Sequence, residues 1–241
     1  MTSWKKCALS VVLGSLLAVA RPVPAPGRPA GSDAPASEIK KVEDSIRVLQ
    51  EMVKESDKSI PVKLLENSAG IAIIPDVIKA AYIVGGRHGK GLVCVRNKNG
   101  VWSNPVFIGI TGGSVGWQIG VESADIILVF RTPRSIDNFA KGKFTLGADA
   151  GVSAGPLGRS AEASTDAELK AEIYSYSRSR GLYAGLSIQG ASLYVDAKAN
   201  QSFYGTKGIV PHTIFEGQVV NVPDVAAKLR RALESFSGAA K

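Results

Sequence analysis

Short apolar segments separated by glycine-containing stretches run from Ala69 to Val195, and they restrict the fold of this chain more than any other feature. Such segments are typical of strands, and most intervals between them are too short for the crossover helix that parallel strands require. The chain contains 26 glycines, which favour tight turns, bends and bulges. We therefore predict an α+β fold with a β-rich antiparallel sheet, sandwich or barrel-like core.

The glycine-rich segment 85–90 is predicted to be a hairpin turn, because strand-like sequences at 81–84 and 91–95 flank it. An earlier apolar run, Ile71 to Ile74, is followed by Pro75 and Asp76. Proline lacks the N–H group that a central strand needs, so the sequence predicts that this strand ends there.

Helices are predicted before and after the sheet. Ser37 is a suitable N-cap, and apolar residues recur every three or four positions from Ile39 to Val53, which predicts an amphipathic N-terminal helix. Its polar face is balanced in charge and its apolar face has no aromatic residue, so packing against the domain is favoured over membrane insertion. Pro223 predicts the start of a C-terminal helix with Leu229 and Leu233 facing inward.

The first 20 residues have the organisation of a secretory signal peptide. Lys5 and Lys6 precede an apolar run, and Ala18 and Ala20 fit a small-x-small cleavage site. An uncleaved N-terminal anchor is the alternative. Residues 21–36 are rich in Pro, Gly and Ala and predict a linker, which leaves 37–238 as the folded domain. These features predict an exported protein, periplasmic or secreted, at the periphery of a membrane.

Several sequence blocks, taken in order, carry a family resemblance. They are Gly70–Gly91, Trp102–Pro105, Gly112–Gly120, Gly142–Asp149, Gly155–Arg159, Ala171–Arg178 and Gly181–Ile188. Together they resemble the SYLF domain over residues 38–236. The resemblance implies a lipid-binding module, and eukaryotic members are associated with phosphoinositide membranes and with actin regulation. Because the predicted signal peptide argues against contact with actin, lipid binding is the part of the resemblance that we carry over.

Basic residues in the glycine-rich segment are the first predicted contacts for a lipid headgroup. They are Arg87, His88 and Lys90. Clustered glycines expose backbone N–H groups that suit a phosphate, and the three side chains add positive charge. The spacing matches neither a P-loop nor a dinucleotide-binding motif. A hairpin with solvated basic residues is the alternative interpretation.

A second basic group surrounds a short helix predicted from Pro133 to Ala140. It comprises Arg131, Arg134, Lys141 and Lys143. Each positive charge near an anionic membrane contributes about 1 kcal/mol to binding, and ordinary solvated charge is the alternative. The two groups together form the predicted site for anionic phospholipid or phosphoinositide-like headgroups. The alternative function is a structural or protein–protein interaction module of the cell envelope.

Sequence signals for catalysis are weak. The chain has two histidines and no HExxH or CxxC motif. The pattern Gly-x-Ser-x-Gly occurs at 112–116 and 151–155, but a nucleophile elbow needs a strand followed directly by a helix, and both matches lie in strand-like sequence. Basic residues are scattered, which does not favour nucleic-acid binding. We therefore predict a non-enzymatic protein with no cofactor or metal.

Overall fold

The computed structural model describes residues 35–54, 60–82, 84–115, 120–142, 144–157, 170–179, 182–185 and 188–237. The strands in these ranges are β1 (Gly70–Tyr82), β2 (Val84–Val95), β3 (Val106–Val115), β4 (Gly120–Phe130), β5 (Phe144–Thr145), β6 (Val152–Ala154), β7 (Ile173–Ser179), β8 (Leu182–Gly185) and β9 (Ser192–Val195). The helices are α1 (Ala36–Lys54), α2 (Val62–Glu66), α3 (Pro133–Ala140), α4 (Ala197–Tyr204), α5 (Pro211–Phe215) and α6 (Asp224–Ser237). The predicted signal peptide at 1–20 and nearly all of the predicted linker lie outside these ranges.

The nine strands in the described ranges form one sheet, curved into a half-barrel. The order across it is β5-β9-β3-β2-β1-β4-β7-β6, and β8 pairs with β7. Every pair is antiparallel except β6 with β7, which is parallel. The prediction of an α+β fold with a barrel-like antiparallel core is therefore confirmed, with one parallel pair as an addition.

A β-bulge lies in the middle of β1, where the sequence predicted the strand to end. That prediction is wrong, because β1 continues to Tyr82 with one extra residue. Ile73 pairs with Leu92 and Ile78 pairs with His88, so five steps on β1 match four on β2. The extra residue places Asp76 in the left-handed region, with φ 53°. Such a bulge bends the strand and reverses its side-chain alternation.

The bulge determines which side chains of β1 lie on each face of the sheet. We call the face that bears Ile74, Val77 and Lys79 the groove face, and the opposite one the helix face. Without the bulge, Val77 and Lys79 would point to the opposite face from Ile74, because side chains alternate along a regular strand. The structure therefore brings Lys79 to the groove face through a local irregularity in β1.

The predicted hairpin turn at 85–90 is also wrong, since β2 passes through this segment as regular strand. Gly89, and Gly91 just after the segment, allow β1 to approach closely at its bulge. A Cβ atom on Gly89 would lie 2.8 Å from Cγ2 of Val77, and one on Gly91 would lie 2.7 Å from Cα of Ile74. Glycine therefore serves close strand packing in this segment.

Helices cover the helix face, as predicted for the first and last of them. Val42, Leu49 and Met52 of α1 are fully or almost fully buried, and so are Leu229 and Leu233 of α6. The prediction that the first helix packs onto the domain is confirmed. Within the described part of the chain, no helix is both long enough and apolar enough to cross a membrane.

A buried asparagine joins α4 to the edge of β3. Asn200 accepts a hydrogen bond from the Phe107 N–H at 2.8 Å and donates to the Phe107 carbonyl at 3.0 Å. We expect Asn200→Ala to lower the free energy of unfolding by about 2 to 3 kcal/mol, because a buried N–H loses its acceptor. Urea unfolding measures the change, and the exposed neighbour Gln201→Ala is the control. Equal changes in the free energy of unfolding for the two substitutions would show that the hydrogen bonds of Asn200 contribute little to stability.

Candidate functional site

A groove opens on the groove face, where β2, β1, β4 and β7 lie side by side. Its lining residues are Val77, Lys79, Arg87, Glu122, Ala124, Ile126, Ser177 and Ser179. The groove is partly open to solvent and has a cavity volume of about 90 Å³. The strand register places charged residues in one row across the sheet, with buried Val77 and Ile126 beside that row. The groove therefore has a charged end and an apolar floor.

Arg87 is the basic residue of the groove with the most restricted surroundings. It is half-buried, and its Nη1 atom is buried with no hydrogen-bond partner. Burial lowers the pKa of its guanidinium below the ordinary value. Among the described residues, Arg87 pairs with no carboxylate. An unsatisfied buried donor is unfavourable, so an acceptor that entered the groove would gain a strong hydrogen bond.

Lys79 and Glu122 continue the charged row from Arg87. Lys79 is the direct cross-strand partner of Arg87 on one side and of Glu122 on the other. Glu122 accepts a hydrogen bond from the Ser179 hydroxyl at 3.0 Å. In the described ranges, Lys79 and Glu122 form no ion pair, although they are neighbours. The row thus presents two positive charges and one negative charge to the groove.

A carboxylate on the helix face supports the bulge that turns Lys79 into the groove. Oδ1 of Asp125 accepts the backbone N–H of Asp76 at 3.1 Å, and its Oδ2 accepts from Nη2 of Arg178 at 2.8 Å. Arg178 also pairs with Glu51 of α1. The bulge is therefore tied to β7 and α1, and sequence reasoning did not anticipate this network.

His88 and Lys90 lie on the opposite side of β2 from Arg87, because alternate residues of a strand point to opposite faces. His88 is exposed. Nζ of Lys90 lies 2.8 Å from Oδ2 of Asp196, and this hydrogen bond raises the pKa of Lys90. Although burial acts in the other direction, the same bond lowers the pKa of Asp196. Of the first predicted group, Arg87 alone faces the groove.

The second predicted basic group lies at the other end of the strands. Eight steps along β4 separate Glu122 from Phe130, which is about 27 Å at roughly 3.4 Å per residue. Arg131 follows directly and is half-buried, while Arg134 and Lys141 are exposed at the two ends of α3. Lys143 lies outside the described residues. The structure does not bring this group together with Arg87.

Within the described residues, neither Gly-x-Ser-x-Gly motif shows the strand–serine–helix geometry of a nucleophile elbow. Ser153 is exposed on β6, and 155–157 do not form a helix. Ser114 is in β3, but its side chain and 116–119 lie outside the described residues. Within the residues that the structure describes, no cluster of three or more His, Cys, Asp or Glu side chains is arranged to hold a metal ion.

A curved sheet with a charged groove on one face and helices on the other defines an α+β domain with a β-rich core. Residues 111–236 match the family model Ysc84, described as "Las17-binding protein actin regulator". The match covers just over half of the chain. The chain therefore belongs to the Ysc84 family, and the resemblance to the SYLF domain is confirmed.

Curated relatives match most of the chain. Protein YSC84 from Saccharomyces cerevisiae is 38% identical over 207 residues, which are 83% of this chain and 43% of that protein. The SH3 domain-containing YSC84-like protein 1 of Xenopus laevis is 38% identical over 75% of this chain and 54% of that protein. The protein of the same name from Bos taurus is 36% identical over 83% and 59%. The chain thus spans about half the length of the curated relatives it matches.

The predicted export is wrong. The matched relatives come from yeast, frog and cattle, and the family is described by the regulation of actin, a polymer of the eukaryotic cytosol. The periplasmic or secreted location is therefore withdrawn. The cell-envelope setting of the alternative function is withdrawn with it, as is the argument that export excludes contact with actin.

Proposed function

We propose that this chain is a non-enzymatic, lipid-binding domain of an actin-regulatory protein, and that it binds an anionic phospholipid in the groove. The observation that carries the proposal is the buried, unpaired Nη1 of Arg87 beside Lys79. A lipid phosphate offers several oxygen acceptors, and hydrogen bonds between a guanidinium and a phosphate are strong and often bidentate. The lipid phosphate would bridge Arg87 and Lys79.

The floor of the groove suits the part of the lipid next to the phosphate. Val77 and Ile126 are almost fully buried and lie beside the charged row. Each methylene group that leaves water contributes about 0.8 kcal/mol, so even a short insertion would add to the electrostatic attraction. Because part of the attraction is between charges, binding should weaken as salt concentration rises.

Co-sedimentation with vesicles tests the proposal. We expect the chain to bind phosphatidylcholine vesicles that contain an anionic phospholipid, and to bind pure phosphatidylcholine vesicles much less. Arg87→Gln should weaken binding to the anionic vesicles by about tenfold, which corresponds to one charge-assisted hydrogen bond of roughly 1.5 kcal/mol. The substitution removes a half-buried charge without a partner, so unfolding measurements should show no loss of stability.

Arg134→Gln is the matched control, because it removes the same charge from an exposed position at the far end of the sheet. We expect it to change binding much less than Arg87→Gln. A larger effect of Arg134→Gln would move the proposed site to the second basic group. Binding that is absent, or indifferent to lipid charge and salt, would refute the lipid proposal.

Binding of a protein from the actin machinery is the second candidate function, and the family description favours it. The relatives that carry YSC84 names are about twice as long as the matched region, so their named properties need a direct test on this chain. Purified Las17 would be the first probe. Stoichiometric binding of Las17 that is insensitive to Arg87→Gln, together with no vesicle binding, would favour this function.

A further inference from the structure

We infer that Ser179 is a positioning residue of the groove, because its hydroxyl group holds the Glu122 carboxylate away from Lys79. The Lys79 ammonium group then remains available to an anionic ligand. The inference rests on the proposed function and adds a residue that controls one of its two cationic contacts. Ser179 ends β7 and lines the groove together with Lys79 and Glu122.

Lys79 and Glu122 lie where an internal ion pair is expected. They are direct partners in the antiparallel pairing of β1 with β4, and the side chains of such partners are close enough for opposite charges to attract each other. Among the described residues, however, neither side chain forms an ion pair. A contact between them would occupy the ammonium group that the lipid phosphate needs.

The position of Ser179 explains why this ion pair is not formed. In the sheet, β4 lies between β1 and β7, so Lys79 and Ser179 flank Glu122 from opposite sides. Oγ of Ser179 lies 3.0 Å from Oε1 of Glu122, and a hydrogen bond to a charged acceptor is stronger than one between neutral groups. The bond therefore turns the carboxylate toward β7, away from the ammonium group on β1.

Two further contacts fix the Ser179 hydroxyl beside β4. Its Oγ lies 3.1 Å from the Ser123 carbonyl oxygen, and Ser179 pairs with Leu182 in the hairpin of β7 and β8. Ser179 is half-buried, whereas Glu122 is exposed. The serine is therefore the fixed member of the bond, and it sets the direction of an exposed carboxylate that could otherwise turn to either side.

Arg87 lies outside this competition. It is on β2, on the far side of Lys79 from Glu122. The Glu122 carboxylate and the lipid phosphate would compete for the Lys79 ammonium group alone. Loss of the Ser179 hydroxyl should therefore weaken ligand binding without abolishing it, because the contact with Arg87 remains.

Co-sedimentation with phosphatidylcholine vesicles that contain phosphatidylinositol bisphosphate at a fixed mole fraction tests the inference. We expect Ser179→Ala to weaken binding about threefold, which is the effect of one surface ion pair formed between Lys79 and Glu122. Ser179→Thr keeps the hydroxyl group and should bind like the unaltered chain. In a chain that also carries Glu122→Gln, Ser179→Ala should not change binding, because the competing carboxylate is gone.

Ser153→Ala is the matched control, since it removes the hydroxyl of an exposed serine on β6, and it should leave binding unchanged. An effect of Ser179→Ala that is equal with and without Glu122→Gln would overturn the inference, because the hydroxyl would then act directly on the ligand. An unchanged affinity of Ser179→Ala would overturn it as well. In both cases, binding that depends on Arg87 would leave the proposed function standing. Failure of the unaltered chain to bind vesicles would refute that function, and the inference with it.

Discussion

Gly91→Ala is expected to lower the free energy of unfolding by about 3 kcal/mol, near the upper end of what overpacking costs in a well-packed interior. The new Cβ would lie 2.7 Å from Cα of Ile74 and 3.0 Å from the carbonyl carbon of Ile73, and it would approach the Ile73 carbonyl oxygen more closely still. All three are backbone atoms of β1 at the bulge. No side-chain rotation can relieve the contact, so the two central strands would have to separate.

Gly113→Ala is the matched control for this substitution. Gly113 lies in β3, is exposed, and has no atom within 4 Å of the position that a Cβ would take. Urea unfolding of the two variants should show a large loss of stability for Gly91→Ala and almost none for Gly113→Ala. Similar urea midpoints for Gly91→Ala and Gly113→Ala would mean that β1 and β2 are packed less closely than the structure indicates.

Asp125→Ala is expected to lower the free energy of unfolding by about 3 kcal/mol and to impair vesicle binding as well. The first effect arises because the Asp76 N–H loses its acceptor and Arg178 loses one of its carboxylate partners. The second arises because the bulge holds Lys79 on the groove face. Asp125→Asn retains an acceptor for Asp76 and should therefore preserve more of both properties.

Asp137→Ala, which removes an exposed carboxylate from α3, serves as the control and should change neither property. Vesicle binding is measured at a temperature at which every variant is folded by circular dichroism. A lower free energy of unfolding in Asp125→Ala, without any loss of vesicle binding at that temperature, would show that the bulge does not position Lys79. A loss of binding in Asp125→Ala but not in Asp125→Asn would assign the effect to the Asp76 hydrogen bond.

Helix boundaries followed from local sequence, because the signals for them lie within a few residues. Pro133 starts α3 as predicted, with Thr132 as its N-cap, and the helix ends at Ala140. Asp224 begins α6 directly after Pro223, and its predicted apolar residues are buried. The first helix was also recognised from its periodic apolar residues, although it begins at Ala36 and the predicted N-cap, Ser37, lies inside it. Each of these features depends on the chain within one or two turns of the helix.

Glycine was misinterpreted because its role depends on a strand that is distant in the sequence. At Gly89 and Gly91 it permits close contact with the β1 bulge, whereas sequence alone favours a turn in this region. Sequence analysis found only part of the site, because the residues next to Arg87 in the sheet are also distant from it in the sequence. Arg87 was recognised by its charge, but Lys79 and Glu122 become its neighbours only through the register of three strands and one bulge. Proline and aspartate inside an apolar run were the available signal for that bulge.

The extra residue in β1 has a consequence for how insertions and deletions act in this family. Deleting one residue between Ile74 and Val77 would restore regular pleating, and the hydrogen-bonded ladder could persist on both sides. It would keep Val77 and Lys79 on the same face as Ile74, because every second residue of a regular strand points to the same side, so Lys79 would remain in the groove. A homologue with a single-residue gap at this position would therefore keep the side chains of its groove, whereas a gap elsewhere in β1, with the bulge retained, would exchange the side chains of the two faces.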